Sequence, residues 1–250
     1  MGECSGDNNA EKWIEHYSSS HKILLVGEGD FSFSACLAKE FGTAANMIAT
    51  SFDSKELVMN KYSNAMTNLK ELEERRCTVL HDVNAHSMIL HPLLHLKLFD
   101  RIVFNFPHAG FIWSECDKRQ IELHRKVVSG FLSNANHMLT ENGEVHITHK
   151  TAHPFSKWEI VELAEEIGLF FLEKVPFARW YYPGYMNKRG SGPKTNRTFR
   201  VGECSTFKFT KPCHNDARGS ELDDAELSDC TLMALSYLEQ ADQRKINKKS

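Results

Sequence analysis

The chain has 250 residues, of which 41% are hydrophobic and 25% charged, a balance that excludes a fibrous or wholly disordered protein. Its formal net charge of -3 predicts no overall attraction to nucleic acid, so any nucleic-acid site has to come from a local basic surface. Seven cysteines, an odd number, disfavour a disulfide framework and favour a reducing compartment.

Three parts follow one another along the chain. Residues 1–20 are polar, although Trp13, Ile14 and Tyr17 are expected to pack on the next part. Residues 21–211 carry the apolar periodicity of a globular domain. Residues 212–250 combine an acidic and a basic stretch, which predicts a mobile charged tail with one short helix.

In the globular part, short apolar runs that predict strands alternate with amphipathic stretches that predict helices. The first half predicts strand Lys22–Val26, helix Ala35–Phe41 closed by Gly42, strand Met47–Phe52, one helix with Leu57, Tyr62, Ala65, Met66, Leu69 and Leu72 on a single face, and strand Cys77–Leu80. The second half predicts strand Phe99–Phe106, a helix over 117–139 stopped by Asn142 and Gly143, strand Glu144–Thr148, a helix from the capping box Ser156–Glu159 to Gly168, and strands Leu169–Val175 and Thr206–Phe209. This order predicts an α/β fold with a mostly parallel sheet covered on both faces and an antiparallel pair of strands at one edge.

A glycine-containing turn follows the first predicted strand, where Gly27 and Gly29 let the backbone bend sharply and approach a ligand. Asp53 and Asp82 close the second and third predicted strands, and the carboxyl ends of parallel strands meet at one edge of a sheet. A nucleoside bound there can offer its ribose hydroxyls to Asp53 and its adenine to Asp82 and the adjacent Val83. The alternative is that both aspartates are helix caps, a common role for this residue type.

The chemistry of the turn favours S-adenosylmethionine over a dinucleotide. A dinucleotide fingerprint needs a small third residue where this chain has Ser32 between two phenylalanines. Glu28 and Asp30 repel a pyrophosphate but suit a ligand that carries a sulfonium and an ammonium group. The predicted cofactor site therefore comprises Gly27, Glu28, Gly29, Asp30, Phe31, Asp53, Asp82 and Val83.

The fourth predicted strand ends in Asn105-Phe106-Pro107-His108. A polar side chain, an aromatic ring and a proline at this point resemble the motif of methyltransferases that act on planar nitrogen atoms, in which an amide and a backbone carbonyl meet the target while a ring stacks on the base. The alternative is a proline-containing turn that leaves a buried strand, with His108 as a structural histidine.

Several short segments, taken in chain order, together resemble one family. They are Val26–Phe33, Thr50–Asp53, Asp82–Val83, Phe104–His108, Gly143–Thr148, Trp158, Tyr182–Tyr185 and Lys188–Gly190. The family is that of the eukaryotic large-subunit ribosomal RNA uridine-N3 methyltransferases, and the resemblance covers residues 20–211. It implies a Rossmann-like class I fold, S-adenosylmethionine as the donor and N3 of a uridine as the acceptor. The segment Phe111–Cys116 departs from the longer loop of that family, which puts the substrate pocket in question.

Methyl transfer to a uridine N3 requires loss of the imide proton, so a general base is expected near the target. We predict catalytic roles for Asn105, Phe106, Pro107 and His108. His108 is the first candidate for the base and Asp30 the second. Asn105 is expected to hold a uracil carbonyl, and Phe106 to stack on the ring.

Between Lys174 and Lys211, basic and aromatic side chains are interleaved, and Glu203 is the single acid after Lys174. Basic groups meet phosphates and aromatic faces stack on bases, so this segment predicts an RNA surface. The predicted contacts are Arg179, Tyr182, Tyr185, Lys188, Arg189, Lys194 and Arg197. The alternative is a solvated loop around a structural aromatic cluster.

Other functions stay open at this point: a methyltransferase with a different substrate, a non-catalytic paralogue that binds RNA or a partner, and a dinucleotide-dependent oxidoreductase. Cys204, Cys213 and His214 form only a weak metal pattern, and we predict no metal. No signal-peptide core or membrane-spanning apolar run is visible, so an intracellular protein without membrane association is expected. The resemblance implies the nucleolus, or the nucleus and cytoplasm, while oligomeric state is not predicted.

Overall fold

The computed structural model describes residues 10–212. The predictions for the charged tail, including its acidic and basic stretches and the pair Cys213–His214, lie outside the described residues. Within the described range, no helix has the length and apolar character needed to cross a membrane.

A short antiparallel hairpin precedes the main sheet and consists of β1 (Trp13–Ile14) and β2 (Tyr17–Ser18). Tyr17 is buried, packs edge-on against Phe33, and its hydroxyl lies 3.2 Å from Nδ1 of His146. Ile14 and Tyr17 therefore pack on the domain as expected. The expectation for Trp13 is wrong, since 57% of it is exposed.

Within residues 10–212, seven further strands form one sheet and five helices flank it. The strands are β3 (Ile23–Val26), β4 (Met47–Thr50), β5 (Thr78–Leu80), β6 (Phe99–Asn105), β7 (Leu139–Lys150), β8 (Phe170–Pro176) and β9 (Cys204–Thr210). The helices are α1 (Ser32–Phe41), α2 (Lys55–Lys61), α3 (Ala65–Glu74), α4 (Lys118–Met138) and α5 (Ile160–Glu165).

The strand order across the sheet is β5-β4-β3-β6-β7-β9-β8. The first five are parallel, and β9 is antiparallel to both of its neighbours. The predicted antiparallel pair at one edge is confirmed. Chain order reverses at β3, which has β4 on one side and β6 on the other, and open α/β sheets bind ligands beyond the carboxyl ends of strands at such a switch point.

Two apolar clusters cover the two faces of the sheet. Successive strand residues point to opposite faces, so Leu24 packs in the cluster that contains α4 and α5, whereas Leu25 packs in the cluster that contains α1 and α3. The parallel sheet covered on both faces that the sequence predicts is thus confirmed.

The single helix predicted around residues 57–72 is wrong, because the chain forms α2 and α3 with a break at Tyr62. Tyr62 takes an extended conformation and is buried, and its hydroxyl approaches Gly29 in the turn after β3. This packing interrupts the helix and leaves Leu57 and Met66 exposed rather than on a common buried face.

Two predicted boundaries also differ. Helix α4 ends before Leu139, and β7 begins there, so Asn142 and Gly143 lie inside a strand instead of stopping a helix. An irregularity in the β6–β7 register accommodates the extra residues. Two strands also end before their predicted last residues. β4 stops at Thr50, and Phe106 lies outside β6 with a φ of +51°.

The capping box predicted at Ser156 and Glu159 is wrong. Ser156 lies in a short 3-10 turn, and Glu159 has a left-handed φ of +51° without a side-chain cap. The Glu159 carboxylate instead pairs with Arg125 of α4. The Glu159 side chain, which the local pattern assigned to the helix start, therefore forms a long-range ion pair instead.

Helix α4 contains Gly130, where an alanine would ordinarily favour the helix by up to about 1 kcal/mol. A Cβ added there would lie 2.0 Å from Nδ1 of His86. We expect Gly130→Ala to lower the free energy of unfolding by about 1–3 kcal/mol, the usual cost of overpacking, in urea denaturation. Lys126→Ala, on the exposed side of α4, is the matched control and should be neutral. Unchanged or higher stability of Gly130→Ala would contradict this close packing.

Candidate active site

The turn after β3 requires glycine at its first position. Gly27 has a φ of +69°, and a Cβ there would lie 2.3 Å from Cε2 of Phe104 in β6. At Gly29, a Cβ would lie 3.3 Å from the Tyr62 hydroxyl. The backbone of the turn thus lies tightly between β6 and Tyr62, and it leads directly into the N-terminus of α1.

The acidic side chains of this turn stabilise the start of α1. Glu28 is buried, and its Oε2 accepts hydrogen bonds from the backbone N–H of Ser34 at 3.2 Å and from its hydroxyl at 2.8 Å. Burial raises the pKa of Glu28 to about 7. Asp30 Oδ1 accepts from the Ser32 N–H at 3.0 Å, and Phe31 is fully buried with a φ of +59°. Contact of these three residues with a cofactor stays a prediction.

A buried ion pair joins this turn to the basic segment. Asp30 Oδ2 lies 3.6 Å from Nζ of Lys188, and the two side chains are only 3% and 7% exposed. Lys188 Nζ also donates to the backbone carbonyl of Asn196 at 3.0 Å. Lys188 therefore holds the basic segment against the glycine turn. This position corrects the prediction that Lys188 meets RNA phosphates, because its charge is buried and already paired.

Asp53 and Asp82 lie next to each other beyond β4 and β5. The Asp82 N–H points to the Asp53 carbonyl at 3.4 Å, and the neighbouring Val83 side chain is buried. Both carboxylate oxygens of Asp53 accept from Nζ of Lys61, at 2.6 and 2.7 Å. Asp53 does not cap the helix that follows, because Ser54 caps α2. The backbones of two acidic residues therefore meet at the edge where the predicted ribose and adenine contacts lie.

Asn105 is the last residue of β6 and carries a buried amide whose nitrogen and oxygen have no hydrogen-bond partner among the described residues. Burial of an unsatisfied polar group costs about 1–3 kcal/mol, so such a group needs an explanation. Phe106 follows with a φ of +51°, and its N–H donates to the Thr148 carbonyl at 2.8 Å. The strand end thus holds Asn105 with free hydrogen-bonding capacity.

His108 is held as a hydrogen-bond donor. Its Nδ1 accepts from the Gly110 N–H at 2.9 Å, so the neutral ring carries its proton at Nε2. Burial, and then the charge of Lys61, lower the pKa of His108. This arrangement contradicts the prediction that His108 is the general base. Asp30, the second candidate, keeps a buried oxygen without a hydrogen bond.

A cavity of about 720 Å³ opens beside Phe106, Pro107 and His108. Its walls are mainly aromatic, with cationic side chains and one carboxylate, Glu115, among them. The aromatic side chains are Phe106, Phe111, Trp113, Phe155, Trp158 and Phe199, and the cations are Lys150, Arg189 and Arg200. Lys150 Nζ lies 4.6 Å from the ring centre of Phe155. These dimensions and groups suit a planar base attached to a phosphate.

Sequence reasoning missed one side of this cavity. Lys150 ends β7, Phe155 lies in the 3-10 turn that follows, and Phe199 and Arg200 precede β9. The segment that departs from the resembled family contributes Phe111, Trp113, Ser114 and Glu115 to the walls. A cluster of aromatic and basic residues in the loops after β7 and before β9 was the available clue.

The predicted RNA residues divide into an exposed and a buried group. Arg179, Arg189, Lys194 and Arg197 are exposed. Tyr182 is only 3% exposed and stacks on Phe177, and Tyr185 packs edge-on against Phe33. The prediction of an RNA contact for Tyr182 is therefore corrected, since its ring is buried in a structural aromatic cluster. The contact of Tyr185, which is half-buried, stays a prediction. Within residues 10–212, no group of three metal-ligating side chains converges.

Comparison with known sequences gives a family match. The family described as rRNA (uridine-N3-)-methyltransferase BTM5-like matches residues 24–189. An uncharacterized protein of Arabidopsis thaliana is 53% identical over 205 residues, which cover 81% of this chain and 98% of that protein. Heavy metal-associated isoprenylated plant protein 41 of Arabidopsis thaliana is 50% identical over 203 residues, 81% of this chain and 39% of that longer protein.

Two more distant similarities are also found. The 25S rRNA (uridine(2634)-N(3))-methyltransferase of Saccharomyces cerevisiae is 20% identical over 256 residues, covering 81% of this chain and 76% of the yeast protein. Among solved structures, the glycopeptide N-methyltransferase MtfA in complex with S-adenosylmethionine has a TM-score of 0.49 at 13% identity, covering 77% of this chain and 82% of that chain.

The predicted fold class is confirmed: the chain has the Rossmann-like α/β fold of class I methyltransferases, with a mostly parallel sheet and antiparallel strands at one edge. The match spans the glycine turn, both strand-end aspartates and the motif that begins at Asn105. This chain belongs to the BMT5-like family of rRNA (uridine-N3-)-methyltransferases.

Proposed function

We propose that this chain transfers a methyl group from S-adenosylmethionine to N3 of a uridine in ribosomal RNA. One juxtaposition carries the proposal: the unsatisfied Asn105 amide lies at the end of β6, between the strand-end aspartates on one side and the aromatic, basic cavity on the other. A donor nucleoside and a planar acceptor can thus meet at one edge of the sheet. The family match and the activity for which the yeast relative is named support the same reaction.

The residues beyond β3, β4 and β5 suit S-adenosylmethionine. Gly27 and Gly29 put no side chain at two positions of the turn, and Asp53 offers two oxygens to ribose hydroxyls. Asp82 and Val83 border the adenine end. The cofactor supplies an electrophilic methyl group on a sulfonium, and the task of the chain is to hold donor and acceptor in line.

The cavity suits a uracil that has left its stack. A base in structured RNA must be flipped out or unpaired before an enzyme reaches it, and aromatic walls compensate for the lost stacking. Phe106 provides one such wall. The Asn105 amide and the Nε2–H of His108 are available as donors to the uracil carbonyls. Asp30 is the remaining candidate for the base that removes the imide proton.

The first experiment asks whether the purified chain binds the donor and modifies RNA. Calorimetric titration with S-adenosylmethionine should show micromolar binding, while NAD should not bind. Ribosomal RNA from cells that lack the gene should gain N3-methyluridine when incubated with chain and donor, as measured by nucleoside mass spectrometry. Absence of donor binding, or methylation only of non-RNA substrates, would contradict the proposal. An RNA substrate also leads us to propose the nucleolus, or the nucleus and cytoplasm, as its location.

The exposed cations are expected to bind phosphates. Arg189 and Arg197 sit opposite each other in a hairpin, with the Arg189 N–H donating to the Arg197 carbonyl at 3.0 Å. The double variant Arg189→Ala, Arg197→Ala should weaken RNA binding and reduce the slope of log K against log salt by about 0.7 for each lost contact. Filter binding over a salt series measures this slope, and Lys70→Ala on α3 is the control. An unchanged slope would remove these two residues from the interface.

A further inference from the structure

A short 3-10 turn after β8 presents two aromatic side chains to solvent. It spans Arg179–Tyr181, and 79% of Trp180 and 46% of Tyr181 are exposed. Tryptophan is highly buried on average, because its large ring contributes much apolar surface to a core. Neither Trp180 nor Tyr181 lines the cavity. The core and the reaction described so far therefore use neither ring.

The turn is anchored from the inside, so the two exposed rings stand on a fixed support. The N–H of Tyr182 donates to the Arg179 carbonyl at 3.0 Å. Tyr182 is buried, and its ring stacks on Phe177 with the centroids 5.6 Å apart. The exposed rings of Trp180 and Tyr181 lie 5.9 Å from each other, tilted by 55°. A rigid aromatic surface binds a flat ligand with little loss of conformational entropy.

The turn also lies close to the cavity. β8 is antiparallel to β9, which is antiparallel to β7, so β8 ends at the edge of the sheet where β7 ends. Phe177 follows β8, and its ring packs edge-on against the cavity-wall residue Phe106 at 5.7 Å. Trp180 comes three residues after Phe177, so their Cα atoms are at most about 11 Å apart. An exposed ring at this place can meet a nucleotide that adjoins the one in the cavity.

The segment that carries the turn is strongly cationic. Its exposed cations are Arg179, Arg189, Lys194 and Arg197. Nη1 of Arg179 donates to Oδ1 of Asn187 at 3.4 Å, so the turn contacts the loop that holds the other three. Glu203 is the single acid in residues 175–211. The ligand that suits exposed rings among cations is flat and polyanionic, and an unpaired RNA strand is both.

We propose that Trp180, with Tyr181 beside it, is a stacking site for an unpaired base that neighbours the target uridine in the RNA strand. This inference rests on the proposed function. A uridine that leaves its stack deprives the neighbouring base of a stacking partner, and an exposed aromatic ring replaces that partner. The site holds the strand without reading its sequence, since every base has a π-face.

The test separates stacking from charge. Trp180→Ala should lower the affinity for an oligouridylate of about ten nucleotides by about 5–150-fold in filter binding, the range for one stacked base. The slope of log K against log salt should not change, because no cation is lost. Trp180→Phe keeps a ring and should recover most of the loss. Trp13→Ala is the matched control, because this tryptophan is 57% exposed but packs on His21, before β3, at the opposite edge of the sheet.

A second probe identifies the group that the ring binds. An abasic ribose-phosphate strand of the same length carries the charge without the bases, and it should bind the wild type and Trp180→Ala equally. Unchanged affinity of Trp180→Ala for the oligouridylate, or an equal loss with the abasic strand, would overturn the inference. So would self-association of the wild type in sedimentation that Trp180→Ala abolishes without an effect on RNA, since the ring would then bind a second copy of the chain.

Methylation of ribosomal RNA places the site next to the reaction. Trp180→Ala should raise KM for the RNA and leave kcat within about twofold, because the ring holds the strand and does not touch the target base. An unchanged KM would contradict a site beside the target uridine. A wild type that methylates no ribosomal RNA would refute the proposed function by itself, and the two strands would still decide whether Trp180 stacks on a base.

Discussion

Asn105→Ala is expected to lower the rate of methyl transfer by about 10²-fold while affinity for S-adenosylmethionine changes by less than about threefold. The amide is buried at the carboxyl end of β6 and has no partner among residues 10–212. If the Asn105 amide binds the acceptor base, it affects the alignment of that base with the methyl donor. Small misalignments have large effects on rate. Because the amide makes no hydrogen bond within the described fold, its removal should not destabilise the chain.

Single-turnover transfer from tritiated S-adenosylmethionine to ribosomal RNA measures this effect directly. Asn136→Ala is the matched control, since that amide donates to the Ile167 carbonyl, away from the cavity. Asn105→Ala should unfold at the same denaturant concentration as the wild type. Full turnover of Asn105→Ala would show that the orphaned amide has no part in the reaction and would withdraw it from the active site.

Asp53→Ala is expected to weaken S-adenosylmethionine binding by about 10–100-fold, the effect of losing hydrogen bonds to a charged group. Asp53 lies just beyond the end of β4, next to Asp82. In the structure both of its oxygens accept from Lys61 Nζ. Ribose hydroxyls would share or replace this partner, so the ion pair holds the carboxylate in place until the cofactor binds.

Lys61→Ala provides the control that separates the ion pair from the carboxylate itself. If the carboxylate holds the ribose, Lys61→Ala frees both oxygens, and affinity for the cofactor should not fall. Calorimetric titration of the wild type and both variants measures the three dissociation constants. Loss of binding in Lys61→Ala, together with unchanged binding in Asp53→Ala, would assign the contact to the lysine and contradict the ribose role.

The predicted strands and most helices could be located from apolar runs, glycines and strand-end polar residues, since these patterns depend on neighbours in sequence. Errors arose where a distant residue decided the outcome. Tyr62 breaks a continuous helical pattern because it packs against Gly29, and Glu159 leaves its predicted capping role for Arg125 of α4. Local propensity is a weak preference, and tertiary contacts override it.

The basic and aromatic segment shows that local patterns are equally limited in predicting the functional site. Its composition indicated RNA binding but could not divide its members between surface and interior. Tyr182 enters the core beside Phe177, and Lys188 enters a buried ion pair with Asp30, more than a hundred residues earlier in the chain. The burial of a loop side chain depends on which distant residues pack on the loop, and a local sequence pattern does not contain that information.

The sequence by itself determined the glycine turn, the two strand-end aspartates and the Asn105–His108 motif, because parallel strands bring their carboxyl ends to one edge in any fold of this class. Only the tertiary structure decided which groups complete that edge. The stack of His149, Trp158 and His124 joins β7, a 3-10 turn and α4. The physical reason is that backbone periodicity is local, whereas a cavity is formed by side chains that packing brings together from distant loops.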